Sequence, residues 1–323
     1  MIHNARWKRR RPYVVPDKGE VGQILDRAVG GLQVAEVRLL NDGVFNSNLR
    51  VQSTDDRVVV VRIYEQDEEA CRRDQVIIDL VRGDVPVPSI LGTTQFEGFP
   101  VAIFEWIDGV YPDQALNGAS RGERKEIARA LGSTLAGISR AKRFPAHGLL
   151  DAELGYRRRF ESNRKSFVDF IDWSLKQGRA GQRLGPELAA DLRCFVDERA
   201  PLLDATEDDY RLVHGDLRFT NILMGNDGGG WYVRAVLDWE FAMAGSPLLD
   251  FGVLLRGGGL GPEFEEAFAQ GFVEAGGALP ERWREISELL DLRNLCGFLN
   301  ASKHRGELFA AIRREILRIV DSK

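Results

Sequence analysis

Three oxygen-bearing side chains stand out in the segment RLVHGDLRFTNIL, residues 211–223, and in the apolar run that follows it. Asp216 and Asn221 lie five residues apart between two apolar runs. A glycine-rich turn at 225–230 then leads into a further apolar run that ends at Asp238. A strand, a turn and a returning strand would bring the end of this hairpin back to its beginning. The pattern predicts that two carboxylates and one carboxamide converge there.

This set of side chains fits one kind of chemistry well. Oxygen ligation by few groups, with room for water and phosphate, suits Mg²⁺ better than Zn²⁺ or Ca²⁺. Phosphoryl transfer needs a carboxylate that orients a hydroxyl and accepts its proton, together with a carboxamide and a carboxylate that hold metal on the phosphates. The P-loop pattern Gly-x4-Gly-Lys-[Ser/Thr] does not occur in the chain, which argues against a P-loop enzyme.

The elements that must position these residues fall into two blocks. The first hundred residues read mostly as strands, at 34–40, 46–53 and 57–64 and within VPVPSILG and 99–109, with one helix in 65–83. From about residue 120 the pattern becomes helical, first in 124–139, then through 151–205 and again in 262–323. The hairpin at 211–238 is an isolated β patch between helices. The sequence therefore predicts an α+β protein with a β-rich first part and a helical second part.

Composition limits the classes of function. The formal net charge of −5 argues against a dedicated nucleic-acid binder and favours cationic small molecules. A basic cluster at 6–12 has no apolar stretch after it, so it reads as a solvated tail and not as a secretory signal. No apolar run approaches the length that spans a bilayer. Three widely spaced cysteines give neither a disulfide framework nor a metal spacing, and we expect a cytoplasmic protein.

Two motifs together resemble a known family. HGDLRFTNIL followed by VLDWEFAMAGSPLLDFG is similar to the aminoglycoside phosphotransferase and choline kinase-like family, a small-molecule branch of the protein-kinase-like fold. GVFNSNLRV resembles the family's Gly-x-x-Asn segment over the ATP phosphates, and FEWIDG resembles its hinge. The resemblance covers about residues 30–255. It implies a two-lobed α+β fold with a basic tail at 1–20, a nucleotide-binding lobe at 21–107 and a helical lobe with the acceptor site at 108–323.

The resemblance also implies roles for individual residues. Asp216 would be the catalytic base, and Asn221 and Asp238 would be the Mg²⁺ ligands. Arg62 falls where the fold usually places a phosphate-binding lysine, and its helix partner would be Asp74, with Glu69 as the competitor. ATP, with GTP as the alternative, would be the phosphate donor. The remaining residues expected to contact the nucleotide are Gly43, Asn46, Ser47, Val60, Glu105 and Ile107.

Other chemically capable residues are open to structural readings. His214 is expected to bond the backbone of the catalytic loop, and neither donate nor accept a proton in catalysis. Asp250 belongs to a literal Asp-Phe-Gly triplet, but it lies twelve residues beyond Asp238, so we expect it to cap a helix or brace the loop. His147 and Glu240 are balanced between structural and substrate-binding roles.

The acceptor would be a small molecule that carries a hydroxyl group. Acidic side chains at Asp108, Asp172 and Glu240 favour an amine-bearing acceptor such as an aminoglycoside, while choline-type alcohols, other antibiotics, sugars and homoserine stay open. Such an enzyme would function in antibiotic resistance if the acceptor is an antibiotic, as a monomer or homodimer. A protein kinase is one alternative, disfavoured because Gly215 replaces the arginine of His-Arg-Asp. A catalytically silent scaffold is the other, disfavoured by the intact Asp216, Asn221 and Asp238.

Overall fold

A computed structural model describes residues 13–40, 46–65, 67–301 and 306–321. Its N-terminal part is an antiparallel five-stranded sheet in the order β1-β2-β3-β5-β4, flanked by two helices. The rest is mainly helical, with a two-stranded hairpin and a second five-stranded sheet. The predicted α+β organisation, with strands first and helices after, is confirmed.

The strands of the N-terminal sheet agree closely with the sequence prediction. Their bounds are β1 Val34–Leu40, β2 Ser47–Ser53, β3 Val58–Ile63, β4 Ile90–Phe96 and β5 Phe99–Glu105. The strand predicted within VPVPSILG begins only at Ile90, because Pro86 and Pro88 lack the N–H that a ladder needs. The predicted helix in 65–83 is α2, Ala70–Val81.

Successive side chains of β3 point to opposite faces of the sheet. The residues that join the core beneath helix α1 (Lys18–Ala28) are Val59, Val61 and Ile63. Val60 and Tyr64 pack on the other face, against the core that includes α2. Arg62 lies two residues from each of them along the chain, so its side chain points to this second face as well. Strand geometry alone thus directs Val60 and Arg62 to the same side, as the sequence analysis expected.

Helix α1 is an element that the sequence analysis did not predict. It begins with a capping box, in which the Asp17 carboxylate accepts a hydrogen bond from the Glu20 N–H at 2.8 Å and the Glu20 carboxylate accepts one from the Asp17 N–H at 2.7 Å. Val21, Ile24 and Leu25 are buried at helical spacing. The cap signature and the i, i+3, i+4 pattern were both available in the sequence.

Nine α-helices account for most of the second part of the described chain. Their bounds are α3 Pro112–Leu116, α4 Arg121–Ala141, α5 Asn163–Lys176, α6 Ala180–Leu184, α7 Pro186–Arg199, α8 Leu248–Leu255, α9 Pro262–Glu274, α10 Trp283–Leu299 and α11 Gly306–Asp321. They confirm the helical blocks expected at 124–139, 151–205 and 262–323. None of the described helices is long and apolar enough to cross a lipid bilayer.

Short strands complete the second part. The hairpin consists of β10 (Ile222–Asn226) and β11 (Trp231–Val236), and the second sheet has the order β6-β9-β12-β7-β8. The strands of that sheet are β6 Arg143–Phe144, β7 Gly148–Leu150, β8 Tyr156–Arg159, β9 Tyr210–Val213 and β12 Met243–Gly245. Strands of two to four residues carry too little alternation to be read from sequence, and only β9 and the hairpin were expected.

The hairpin also holds the linker between the two parts of the fold. Val110 and Met224 exchange backbone hydrogen bonds of 3.1 and 2.8 Å. The Arg234 guanidinium donates to the Asp108 carbonyl at 3.1 Å, and the Val236 N–H donates to the Pro86 carbonyl at 2.8 Å. The hairpin is therefore fixed against both parts, which sets the position of the residues at its base.

A buried ion pair lies at the end of α8. The Arg256 guanidinium makes two bonds to the Asp291 carboxylate of α10, at 2.7 and 2.5 Å, and both side chains are almost fully buried. We expect Asp291→Ala to lower the free energy of unfolding by about 3–5 kcal/mol, because it leaves a buried guanidinium without its carboxylate. Urea unfolding measures this loss. Asp79→Ala, which removes an exposed carboxylate beside Arg82, should leave the midpoint unchanged, and equal effects of the two variants would contradict the prediction.

Candidate active site

The loop between β9 and β10 carries Asp216 and Asn221, and a buried carboxylate holds its backbone. The Asp250 carboxylate, in the first turn of α8, accepts hydrogen bonds from the N–H groups of His214 and Gly215 at 2.8 and 2.9 Å. The backbone of Gly215 has φ +80°, and a Cβ there would lie 2.4 Å from the Phe241 carbonyl oxygen. Only glycine fits at this turn, and Asp250 braces the loop.

His214 fixes the loop through both ring nitrogens. The Asp216 N–H donates to its Nδ1 at 3.3 Å, so Nδ1 carries no proton and Nε2 must be the nitrogen that donates to the Leu237 carbonyl at 2.9 Å. The ring is fully buried and lies 4.7 Å from the ring of Trp239. This is a structural histidine, in the place and with the kind of bonds that the sequence analysis expected.

Burial and hydrogen bonding act in opposite directions on Asp250. Burial raises the pKa of its carboxyl to about 6, although the two N–H donors lower it. The folded protein therefore retains a proton that the unfolded chain releases, and stability from this group is lost as the pH rises through about 6.

We expect the free energy of unfolding of the wild type, relative to Asp250→Asn, to fall by up to about 3 kcal/mol between about pH 4 and pH 7, since the pKa shift is about two units. Urea unfolding at several pH values measures this difference. If the free energies of unfolding of the wild type and Asp250→Asn differed by the same amount from about pH 4 to pH 7, the pKa of Asp250 would not be raised in the folded protein.

Asp216 and Asn221 lie in direct contact. The Asn221 amide nitrogen donates to the Asp216 carbonyl at 2.8 Å and to its carboxylate at 3.3 Å. The Arg218 guanidinium donates to the same carboxylate at 2.7 Å. Two donors thus fix the orientation of the Asp216 carboxylate. Arg218 was not singled out in the sequence, although its place two residues after Asp216 could have drawn attention to it.

The end of the hairpin brings Asp238 to the same place. The Leu237 N–H donates to the Asn221 carbonyl at 2.8 Å, directly before Asp238. Asp238 has φ +65°, a conformation that aspartate and asparagine adopt more readily than most residues. The structure therefore assembles Asp216, Asn221 and Asp238 at one site, as the strand pairing predicts.

Arg62 reaches this site from the N-terminal sheet. Its guanidinium donates to the Asp238 carboxylate at 2.6 Å and lies 3.5 Å from the Glu240 carboxylate. Burial would lower the pKa of the guanidinium, but the Asp238 carboxylate beside it contributes most to raising it above its ordinary value. The same cation outweighs burial at Asp238 and lowers the pKa of that carboxyl.

The predicted pair of Arg62 with a carboxylate of α2 is not the pair found. Asp74 accepts a hydrogen bond from the Tyr64 hydroxyl at 2.8 Å, and burial raises the pKa of Asp74 to about 6. Glu69 is exposed at the start of α2. The carboxyl groups that contact Arg62 belong instead to Asp238 and Glu240, which follow the hairpin, while Asp74 acts on Arg62 through its charge.

The segment expected to cover the phosphates is described only in part. Gly43 lies outside the described residues. The Asn46 amide donates to the Glu240 carboxylate at 2.6 Å, and the Ser47 hydroxyl, fully buried, donates to Glu65 at 2.5 Å. Burial raises the pKa of Glu240 to about 8, with Asp238 adding to the effect. Glu240 is therefore a member of the site network, a role that the sequence left balanced with substrate binding.

The hinge expected to meet adenine follows β5. The Glu105 N–H donates to the Ser89 carbonyl at 3.0 Å, and its carboxylate accepts from the Ser89 N–H at 2.9 Å. Ile107 lies beyond the end of the strand, and its N–H bonds no other residue that the structure describes. Val60 lies on the cleft face of β3 and pairs in register with Phe104. Of these groups, the Ile107 N–H is the donor left for a ligand.

Asp67 makes a further contact between the two parts, and no sequence pattern indicated it. Its carboxylate accepts hydrogen bonds from Arg73 of α2 and from Arg157 of β8, each at 3.0 Å. Arg73 also donates to the Glu240 carbonyl at 3.2 Å. These contacts tie the start of α2 to the second sheet beside the site.

The donor set fits a magnesium ion that keeps water and phosphate ligands. Because the Asn221 amide nitrogen bonds to Asp216, its Oδ1 is the atom left to face a cation. Asp238 uses one oxygen for Arg62 and keeps the other. No group of three or more His, Cys, Asp or Glu residues in the described part of the chain could hold a metal alone. One carboxylate and one carboxamide suit Mg²⁺ that is also bound by substrate phosphates.

Comparison with known proteins identifies the class. The sequence model described as "Phosphotransferase enzyme family" matches residues 36–286. This is more than half of the 323 residues, and the chain belongs to that family. No curated protein matches the chain.

Solved structures show the same fold. The chain is similar to aminoglycoside phosphotransferase APH(4)-Ia in a ternary complex with ADP and hygromycin B, with 18% identity, a TM-score of 0.65 and coverage of 93% of this chain and 97% of that chain. It is also similar to a putative fructosamine-3-kinase from Thermobifida fusca YX-ER1, with 19% identity, a TM-score of 0.61 and coverage of 92% of this chain and 98% of that chain. The streptomycin–ATP–APH(2'')-IIa ternary complex has 14% identity and a TM-score of 0.60, with coverage of 94% of this chain and 97% of that chain. Identities this low show the fold alone, which is the predicted kinase-like one.

Proposed function

We propose that the protein is an ATP-dependent phosphotransferase that acts on a hydroxyl group of a small molecule. The observation that supports this most directly is the contact network that joins Asp216, Asn221 and Asp238 to Arg62 across the cleft. Each of these residues has a separate task in phosphoryl transfer, and a scaffold would not need the whole set at one site.

Asp216 is the proposed base. Its carboxylate, oriented by Arg218 and Asn221, accepts the proton of the acceptor hydroxyl as that oxygen attacks the γ-phosphorus of ATP. The bond from the γ-phosphorus to the bridging oxygen breaks, and ADP leaves with the electron pair. Arg62 provides fixed positive charge beside the phosphates. No covalent intermediate with the protein is needed.

Asn221 and Asp238 are the proposed Mg²⁺ ligands. A bound Mg²⁺ would neutralise charge on the phosphate oxygens. Arg62 holds one Asp238 oxygen at 2.6 Å, which fixes the carboxylate before substrate arrives. Val60 would pack against adenine, with the Glu105 carbonyl and the Ile107 N–H as hydrogen-bonding partners at the hinge, and Gly43, Asn46 and Ser47 would lie over the phosphates.

Acceptor-stimulated release of ADP tests this function. Purified protein with Mg²⁺ and ATP would be assayed against hydroxylated amines, antibiotics, sugars, hydroxy acids and sugar phosphates, with GTP as a second donor. We expect one class of acceptor to stimulate ADP release and to become phosphorylated, as judged by mass spectrometry. Failure of the protein to bind ATP in the presence of Mg²⁺ would exclude the proposal. Phosphorylation of protein substrates in place of small molecules would favour the protein-kinase alternative.

A further inference from the structure

Two arginines beside the second sheet, Arg293 partly buried and Arg158 exposed, are arranged differently from the buried arginines of the site region. Arg62, Arg73 and Arg256 each bond a carboxylate. Arg293 of α10, which is partly buried, makes neither an ion pair nor a hydrogen bond with any residue that the structure describes. Its guanidinium carbon lies 4.8 Å from the ring centroid of Phe160 and 5.2 Å from that of Phe170.

Arg158 of β8 is the second cation. Its guanidinium carbon lies 5.3 Å from the centroid of the same Phe160 ring, so the two guanidinium groups are at most ~10 Å apart. Arg158 also makes no ion pair within the described chain. Burial lowers the pKa of Arg293 to about 10, and the nearby Arg158 contributes to the shift. Two neighbouring cations without a carboxylate between them repel each other, and an anion bound by both would relieve that repulsion.

The pair lies on the sheet that leads into the catalytic loop. In register, Val213 of β9 pairs with Met243 of β12, Met243 pairs with Leu149 of β7, and Leu149 pairs with Arg158. Three steps between strands correspond to about 14 Å, and Asp216 follows Val213 by three residues. The Arg158 side chain extends from one end of this row and the catalytic loop from the other.

Aromatic side chains surround the two cations. The rings of Phe160 and His147 have their centroids 4.8 Å apart, and burial lowers the pKa of His147 to about 3, so its ring is neutral. Trp173, 46% exposed, lies 6.0 Å from Phe170. We name Arg158, Arg293, Phe160 and Phe170 the arginine cluster. Its chemistry suits an anionic group on an otherwise apolar or cyclic molecule.

The acidic residues that favoured a cationic acceptor are already engaged. Asp172 pairs with Lys176 and Arg193. Glu240 accepts from Asn46 and lies beside Arg62, and Asp108 accepts a hydrogen bond from the Trp106 indole at 2.8 Å. Each of these three carboxylates thus has a partner within the protein, so none of them is evidence for a cationic acceptor.

We propose that the acceptor carries an anionic group, a carboxylate or a phosphate, which Arg158 and Arg293 bind while its hydroxyl group faces Asp216. This inference rests on the proposed phosphotransferase function, because it names the substrate class of that same site. It goes against the cationic acceptor suggested by the overall charge of the chain.

The test compares acceptors of matched size and different charge in the ADP-release assay with Mg²⁺ and ATP. Hydroxy acids and sugar phosphates form the two anionic arms and distinguish carboxylate from phosphate, while neutral sugars and aminoglycosides form the others. We expect stimulation in one anionic arm. Arg293→Met and Arg158→Met should raise the KM for that acceptor about 10- to 100-fold and leave the KM for ATP unchanged. Arg121→Met, on the exposed face of α4, is the matched control.

A binding arm separates this inference from the proposed function. Calorimetry with tartrate and with inorganic phosphate, at saturating ADP, should show one anion bound by the wild type and by Arg121→Met, and not by Arg293→Met. Arg293→Met should also melt at or above the wild-type temperature, because it removes an unpaired cation from between two rings. Turnover of a cationic or neutral acceptor with an unchanged KM in both arginine variants would overturn the inference. Anion binding unaffected by Arg293→Met would overturn it equally, whereas loss of Mg²⁺-dependent ATP binding would overturn only the proposed function.

Discussion

Replacing Asp216 by asparagine should lower kcat by about 10²–10⁴-fold, because the amide cannot accept the proton of the acceptor hydroxyl. The change should leave the KM for ATP close to the wild-type value, since Asp216 acts on the acceptor side. The variant keeps an oxygen that can accept a hydrogen bond from Arg218, which contacts the carboxylate at 2.7 Å, so the loop should retain its conformation. Steady-state ADP release measures both parameters.

Asp209→Asn is the matched control for this prediction. Asp209 is an exposed aspartate directly before β9, it pairs with Arg211, and it lies outside the proposed machinery. Its variant should turn over at the wild-type rate, and circular dichroism should show the same fold for both variants. Wild-type turnover by Asp216→Asn would mean that another group is the base.

Asp238→Asn should have the second large effect, on the order of a hundredfold or more in kcat/KM, through loss of a charged metal ligand. Asparagine tolerates the positive φ at this position and keeps an acceptor for Arg62. The loss should therefore appear as a higher Mg²⁺ concentration for half-maximal activity. Titration of Mg²⁺ at fixed ATP measures this shift, and chelation by EDTA should abolish wild-type turnover.

Asp227→Asn provides the control on the same hairpin. Asp227 lies exposed in the turn, where its carboxylate accepts a hydrogen bond from the Tyr232 hydroxyl at 3.2 Å. Its variant should show the wild-type Mg²⁺ dependence. An unchanged Mg²⁺ requirement in Asp238→Asn would remove this residue from the metal site and leave Asn221 without its proposed partner.

The convergence of Asp216, Asn221 and Asp238 was predictable because it depends on local geometry. The glycine-rich turn between β10 and β11 reverses the chain, so that β11 pairs antiparallel with β10. Alternation along β3 likewise predicts that Val60 and Arg62 share a face. Patterns of this kind need only the residues within one element and its turn.

The partners of Arg62 were not predictable in the same way. Asp74 and Glu240 are both acidic, and nothing local to either residue shows that Tyr64 bonds the first while Arg62 approaches the second. The choice depends on how the N-terminal sheet and the hairpin pack together, across about 180 residues of sequence. Arg158 and Arg293 are a second case, because a strand and a helix far apart in the chain bring them to one phenylalanine ring.

The ion pairs of Asp67 with Arg73 and Arg157 should affect the rate of turnover. Its carboxylate bridges Arg73 and Arg157, and the Arg157 side chain is 57% exposed, so solvent reaches this contact between the two parts. In the proposed phosphotransferase, departure of ADP would require the two parts to separate here, which would break the bridge. Added salt screens an ion pair at the surface far more than the buried pair of Arg62 and Asp238. The enzyme should thus release its product faster at higher ionic strength, with the chemical step itself unaltered.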